Sequence, residues 1–343
     1  MGGPLGISVR SLATFPAKAL VITSRLDKSL GGVPKTILRP LRIEADRLLG
    51  FMQAFVRWRL DKSEDPFVDD EYAAACDRLR RMVGQRNITV LLARLYAEQM
   101  IEQQQGAGGM LPASVPELML SYLNQLNRTI EPANQRNPLQ VQREAQAIAW
   151  ECLKQTYRPT AALRSALIQA LQDIHPASPE DPKAQEQACS ASLEYLETRL
   201  RLVQTLEPGD KIRIVLDPLA EYLAANFLVD RSRSQEQPEQ FWQEFLASID
   251  PILAQNNDPP TAIQGLLLAV RDCCLVKQKE ARIPATIPEA LARKAGLDPE
   301  ELRRDEENRR IRLLISELSA PEEEYRRRAA EDLGKRQGGF ILA

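Results

Sequence analysis

Over most of the chain apolar positions recur every three to four residues, the spacing of helices that bury one face. Between Ile43 and Leu60, Leu48, Leu49, Met52, Phe55 and Val56 share one stripe with charges opposite. Asp69–Val83 repeats the pattern, with Asp69 or Asp70 available as N-cap. Asn87–Gln104 turns Val90, Leu91, Leu95, Met100 and Ile101 inward and ends at Gly106-Ala107-Gly108-Gly109. Ser114, followed by Pro116 and Glu117, opens the next helix, which runs through Leu118, Tyr122 and Leu126. Leu139–Tyr157, Thr160–Asp173 and Ala188–Leu200 are three more, the last two parted by a Pro-rich loop over His175–Pro182. Beyond residue 231 the helical segments Phe241–Ile249, Thr261–Cys274 and Ile287–Lys294 alternate with Pro-containing loops. Arg309–Leu318 and Pro321–Arg336 have the form of a helical hairpin.

Two stretches break this texture. Lys18–Thr23 is a nearly continuous apolar run rich in β-branched residues, the pattern of a strand buried on both faces. A second extended piece follows at Ile37–Leu41. Farther on, Leu202–Leu206, a Glu207-Pro208-Gly209-Asp210 turn and Lys211–Leu216 read as a β-hairpin, with Ile212, Ile214 and Leu216 on its buried side. Asp217 and Pro218 then start a helix over Leu219–Val229, the Asp as N-cap and the Pro in first position. Three helices, a hairpin and a helix are the layout of a winged-helix domain. The fold expected is mainly α, with one short sheet fragment at the N-terminus.

The 343 residues carry 45 Lys and Arg against 47 Asp and Glu, a net charge of −2 that removes any whole-chain case for binding nucleic acid. No apolar run reaches the about 18 residues needed to span a bilayer, and no secretory leader opens the chain. Five cysteines without metal-ligand spacing and a single histidine argue against a zinc site, a disulfide framework or histidine-dependent catalysis. Cytoplasmic residence is expected. Cys152, Cys273 and Cys274 fall on apolar faces and read as inert core thiols, and His175, in a Pro-rich loop, is expected to have no candidate nucleophile nearby. The predicted recognition helix, 184–200, carries Glu186, Glu194 and Glu197 against Lys183 and Arg199, which opposes a DNA role and favours protein contacts. Arg303, Arg304, Arg309, Arg310, Arg312 and Arg326–Arg328 are interleaved with carboxylates and read as ion-paired helix faces.

Lys18-Ala-Leu-Val-Ile-Thr-Ser-Arg25 resembles the sensor strand of NACHT-type NTPases, signal-transducing members of the P-loop class. The resemblance implies that Thr23, Ser24 and Arg25 face nucleotide phosphates in an intact parent. Such a place beyond the carboxyl end of a parallel strand suits a guanidinium that forks two phosphate oxygens. Ile88–Tyr96 and Leu111–Tyr122 resemble the helical segments that follow the NTPase core. Ile214–Ala225 resembles the winged-helix signature, with Asp217 where a His is common, and with Pro218, Glu221 and Tyr222 read as structural. Arg328–Lys335 is similar to the second helix of a HEAT repeat.

No G-x-x-x-x-G-K-[ST] loop occurs, and no acidic strand precedes Arg25, so Met1 is expected to begin inside the NTPase domain. The segments expected are 1–60 (tail of the NTPase core), 61–130 (helical domain), 131–230 (winged helix) and 231–343 (helical adaptor entering HEAT-like repeats). The resemblance implies a regulatory, non-catalytic segment of a nucleotide switch. It needs no cofactor or metal of its own, whereas the parent would bind ATP or GTP with Mg. Protein partners would bind the C-terminal repeats, with self-association a further option and no membrane contact. A stand-alone α-helical scaffold is the rival reading, and a winged-helix DNA regulator the third.

Overall fold

The computed structural model describes residues 43, 45–61, 66–84, 88–106, 110–175, 182–207, 209–255, 263–298 and 300, with isolated positions at 303, 304, 307, 311, 318, 327 and 330. The strand expected at Lys18–Thr23, the extended piece at Ile37–Leu41, and Thr23, Ser24 and Arg25 lie outside these residues. So does the C-terminal hairpin, apart from single positions. Eleven α-helices and one three-stranded sheet make up the described part.

Helix α1 (Ala45–Leu60) buries Leu48, Met52 and Val56 against α2 (Asp69–Val83) and α3 (Val90–Gln104). An antiparallel bridge from Ile43 to Ile88 fixes the entry to α1. Neither Asp69 nor Asp70 caps α2. The N-cap is Val68, whose N–H donates to the Glu71 carboxylate at 2.9 Å, and the two aspartates occupy the first turn, where the helix dipole favours them. In α3 the cap is Thr89, and Val90, expected inward, is exposed at the first position. Ala93, Leu95, Tyr96, Ala97, Met100 and Ile101 form the buried face instead. Helix α4 (Val115–Arg128) starts as its sequence directs: Ser114 Oγ accepts from the Glu117 N–H while Glu117 accepts from the Ala113 N–H.

Helix α5 (Pro138–Leu153) has Asn137 as cap and Pro138 in first position. The segment read as one helix from Thr160 divides into strand β1 (Ala162–Leu163) and helix α6 (Arg164–Gln172). Pairing of Ala162 with Ile212 across the sheet wins over the local helical pattern there. Helix α7 (Pro182–Glu194) does not continue to Leu200 as an α-helix. Its last turn widens into a π-turn over Tyr195–Arg199.

Strands β2 (Val203–Leu206) and β3 (Lys211–Ile214) form the expected hairpin. Its turn places Gly209 at φ +137°, a conformation reserved for glycine. The sheet is antiparallel throughout, in the order β1-β3-β2, and buries Val203, Ile212 and Ile214.

Helix α8 (Asp217–Arg233) is the centre of the molecule's described core. It packs against α5, α4, β3, α9 (Pro238–Gln255) and α10 (Gln264–Lys277), and α10 in turn packs on α11 (Thr286–Lys294). Asp217 is not its N-cap: Leu216 holds that place, with Asp217 and Pro218 as the first two helical residues. Few aromatics serve this core, yet six of them run in one file from Phe227 and Trp150 through Tyr157 to Phe245, Trp242 and Phe241, with centroids 5.3–6.3 Å apart. That file joins α5, α8 and α9.

Candidate functional site

Of the residues that the sequence singles out, Asp217, Pro218, Glu221 and Tyr222 sit together on the first turns of α8. The Tyr222 ring is buried, and its hydroxyl donates to Asp272 Oδ2 at 2.7 Å. Asp272, on α10, also accepts from its neighbour Arg271 at 3.3 Å. The Glu221 carboxylate lies against Gly265, in the first turn of α10, so close that a Cβ there would fall on its oxygens. A carboxylate at that end of a helix meets the free N–H groups and the positive end of the dipole. Farther along, Lys277 donates to Asp230 at 2.8 Å. Polar contacts thus fasten α8 to α10 along their length.

The structure also assembles a cluster that no sequence spacing announces. Its centre is Glu144, fully buried on α5. Glu144 Oε1 accepts from Gln140 Nε2, Ser192 Oγ and His175 Nε2, each at 2.9 Å. Arg136 Nη1 donates to Ser192 Oγ at 2.8 Å and stands 3.6 Å from Glu144 Oε2. The Arg136 guanidinium also lies over the Tyr195 ring, 5.1 Å from its centroid. The Tyr195 hydroxyl donates to Asn127 at 2.6 Å, and Asn127 donates back to the Arg136 carbonyl at 2.8 Å.

His175 therefore does have a serine beside it, Ser192 Oγ at 3.1 Å, contrary to the sequence reading. Residues 17 apart are joined because α6 and α7 pack on each other, which linear spacing cannot reveal. The geometry is nevertheless not that of a nucleophilic triad. Such a triad sets the acid and the nucleophile on opposite ring nitrogens. Here Glu144 and Ser192 both meet Nε2, the serine proton is already committed to the carboxylate, and Ser192 has no solvent exposure. The arrangement neutralises one buried carboxylate and ties α4, α5, α7 and the 129–137 connection together.

All five cysteines are buried. Burial pushes the Cys152 thiol up to about 11 and raises those of Cys273 and Cys274 as well, which disfavours the thiolate at each. Among the described residues no group of three or more His, Cys, Asp or Glu side chains could hold a metal ion. Among them, too, no helix is long and apolar enough to cross a membrane. Arg303 forks the Glu289 carboxylate of α11 at 3.1 and 2.7 Å, and Arg304 pairs with Glu300 at 3.9 Å. These arginines are ion-paired as their mixed-charge surroundings predict, although the Arg303 pair joins separate segments rather than one helix face.

No curated protein and no solved structure matches the chain. Residues 255–299 match the family model of the NACHT C-terminal helical domain 4. That span contains α11 and α10, and it is α10 that Glu221, Tyr222 and Asp230 of α8 contact. The match supports a NACHT-type protein.

Proposed function

We propose that the chain is a non-catalytic regulatory and interaction segment of a NACHT-like signal-transducing NTPase. The observation that carries this reading is one of order. A helix, a short strand, two helices, a β-hairpin and a helix run from Pro138 to Arg233, and the NACHT C-terminal helical segment follows at 255–299. The first part has the element order of a winged helix, and the second is a kind of segment found C-terminal to a NACHT core by its name. Such a segment transmits the state of a nucleotide core through packed helices, and α8, fastened to both parts, is suited to that work.

In this reading Arg25, with Thr23 and Ser24, is a phosphate sensor of the intact parent, whose nucleotide would be ATP or GTP with Mg. Asp217, Pro218, Glu221 and Tyr222 hold structure and touch no nucleotide. Protein partners bind through the C-terminal repeats, in the cytoplasm, and DNA is not a ligand.

The test is phosphate release from ATP or GTP with Mg²⁺ by the purified chain. Phosphoryl transfer needs a phosphate-cradling loop, its lysine and a carboxylate-held metal, and the sequence carries no P-loop motif. No turnover is expected. Turnover that disappears in Arg25→Ala would overturn the non-catalytic reading.

A further inference from the structure

The side of the three-stranded sheet opposite its buried isoleucines carries a defined pattern of side chains. Successive residues of a strand point to opposite faces, and directly opposed residues share one. Ile212 and Ile214 point inward, so Lys211, Arg213 and Val215 point out. Leu163 and Leu206 flank Lys211 in one cross-strand row, and Gln204 stands opposite Arg213 in the next. Leu163 is 52% exposed and Val215 45%.

The cations of this face are uncompensated. No carboxylate of the described residues lies within ion-pair distance of Lys211 or Arg213, and Arg213 Nε has no hydrogen-bond partner. Of the nearby acids, Glu197 and Asp210 are held by Arg164 at 3.1 and 3.3 Å, and Glu207 in the hairpin turn lies beyond ion-pair distance of both cations. Lys211 and Arg213, two residues apart on one strand, are about 7 Å from each other. Carboxylates one turn apart on a helix have nearly that separation.

We propose that this face docks an acidic amphipathic helix of a protein partner, its carboxylates on Lys211 and Arg213 and its apolar side chains over Leu163, Leu206 and Val215. The apolar rows decide against a nucleic acid: a phosphate backbone satisfies the two cations but offers the leucines and the valine nothing. The proposal stands apart from the NACHT reading, since it uses only the wing.

The experiment uses the full chain and three probes. These are a short helical peptide of Leu and Glu with glutamates one turn apart, the same peptide with Lys for Glu, and a short DNA duplex. The acidic peptide should bind and protect the amides of 203–206 and 211–215 from hydrogen exchange, while the basic peptide should not bind. Lys211→Glu with Arg213→Glu should weaken the acidic peptide about tenfold or more, and Leu163→Gln should weaken it without altering charge. If the charge reversal lowers the thermal midpoint, Lys211→Gln with Arg213→Gln replaces it and should weaken binding in the same sense. Binding indifferent to these substitutions, protection elsewhere than on the sheet, or tighter binding of the duplex than of the acidic peptide would overturn the proposal.

Discussion

At the scale of single residues, the state of Glu144 sets the terms. A carboxylate with no solvent exposure is tolerated only when paired, and removing one partner leaves an uncompensated buried charge. Arg136 supplies the positive charge and a hydrogen bond to Ser192, and stacks on Tyr195. Arg136→Ala should therefore cost about 3 kcal/mol of stability in urea unfolding. Arg136→Lys should recover only part of it, because an ammonium cannot keep the planar stack and the serine bond together. A loss below about 0.5 kcal/mol in the alanine variant would mean that the ion pair contributes nothing. One signal of this site was legible: Glu144 stands between Val141 and Ile148 on the inward stripe of α5, where a charge needs a partner. Its partners were not legible, since Ser192 is 48 residues away and reaches Glu144 only through the packing of α5 and α7 on α6.

At the scale of elements, the wing depends on one buried side and one acid clamp. Ile214 is buried under the sheet, so Ile214→Asp places an unpaired charge in the core and should cost several kcal/mol, about 3 or more. An unchanged thermal midpoint would remove the hairpin from the core. The clamp is Glu197, whose carboxylate is held below the usual range chiefly by the Thr205 hydroxyl, with the Thr205 N–H and Arg164 adding to it. A carboxylate lowered on folding stabilises the protein above its unfolded pKa, and that contribution disappears as the pH falls through the folded value. Thr205→Val should cost about 1 kcal/mol at neutral pH, and the difference from the parent should vanish below the carboxylate range. A difference independent of pH would detach Thr205 from Glu197. Among elements, long periodic helices and the hairpin were readable because burial imposes a period on ten or more residues. Strand β1 was not, being two residues long, and neither was the π-turn, whose first residue, Tyr195, bonds Asn127 from 68 residues away. The N-caps of α2 and α8 are Val68 and Leu216, each just ahead of the aspartate expected there, for a common reason. An aspartate is nearly as well placed in the first turn as at the cap, so the sequence signal does not distinguish the two.

At the scale of the whole described core, α8 makes neighbours of segments that are far apart in sequence. The contact of Glu221 with Gly265 gives the first measure of that coupling. Gly265→Ala alone forces the carboxylate off the start of α10 and should destabilise, whereas in a Glu221→Ala background the same change should stabilise, because alanine favours the helix by up to about 1 kcal/mol. Additive effects in the four-variant cycle would show that the two helices meet there without interacting. The second measure tests whether the NACHT-matching segment unfolds alone. Leu267 is fully buried on α10, and Leu267→Ala should cost about 2–5 kcal/mol. If α10 is a separate unit, native-state hydrogen exchange should speed up in α10 and α11 only. But α8 packs on both α5 and α10, and it binds α10 through the buried Tyr222 hydroxyl and the surface carboxylate of Asp230. Freeing α10 strips α8 of one side, leaves the Tyr222 hydroxyl without Asp272, and loosens the face that α5 covers. The slowest-exchanging amides of α5, around Ala145–Ala149, should therefore lose protection by the same free energy as those of α10. Equal loss in α5, α8 and α10 identifies one cooperative unit running through the two parts, the property a segment needs if it is to carry a signal. Protection kept in α5 while α10 opens would separate them, and with them the path by which a nucleotide core could act on a C-terminal partner.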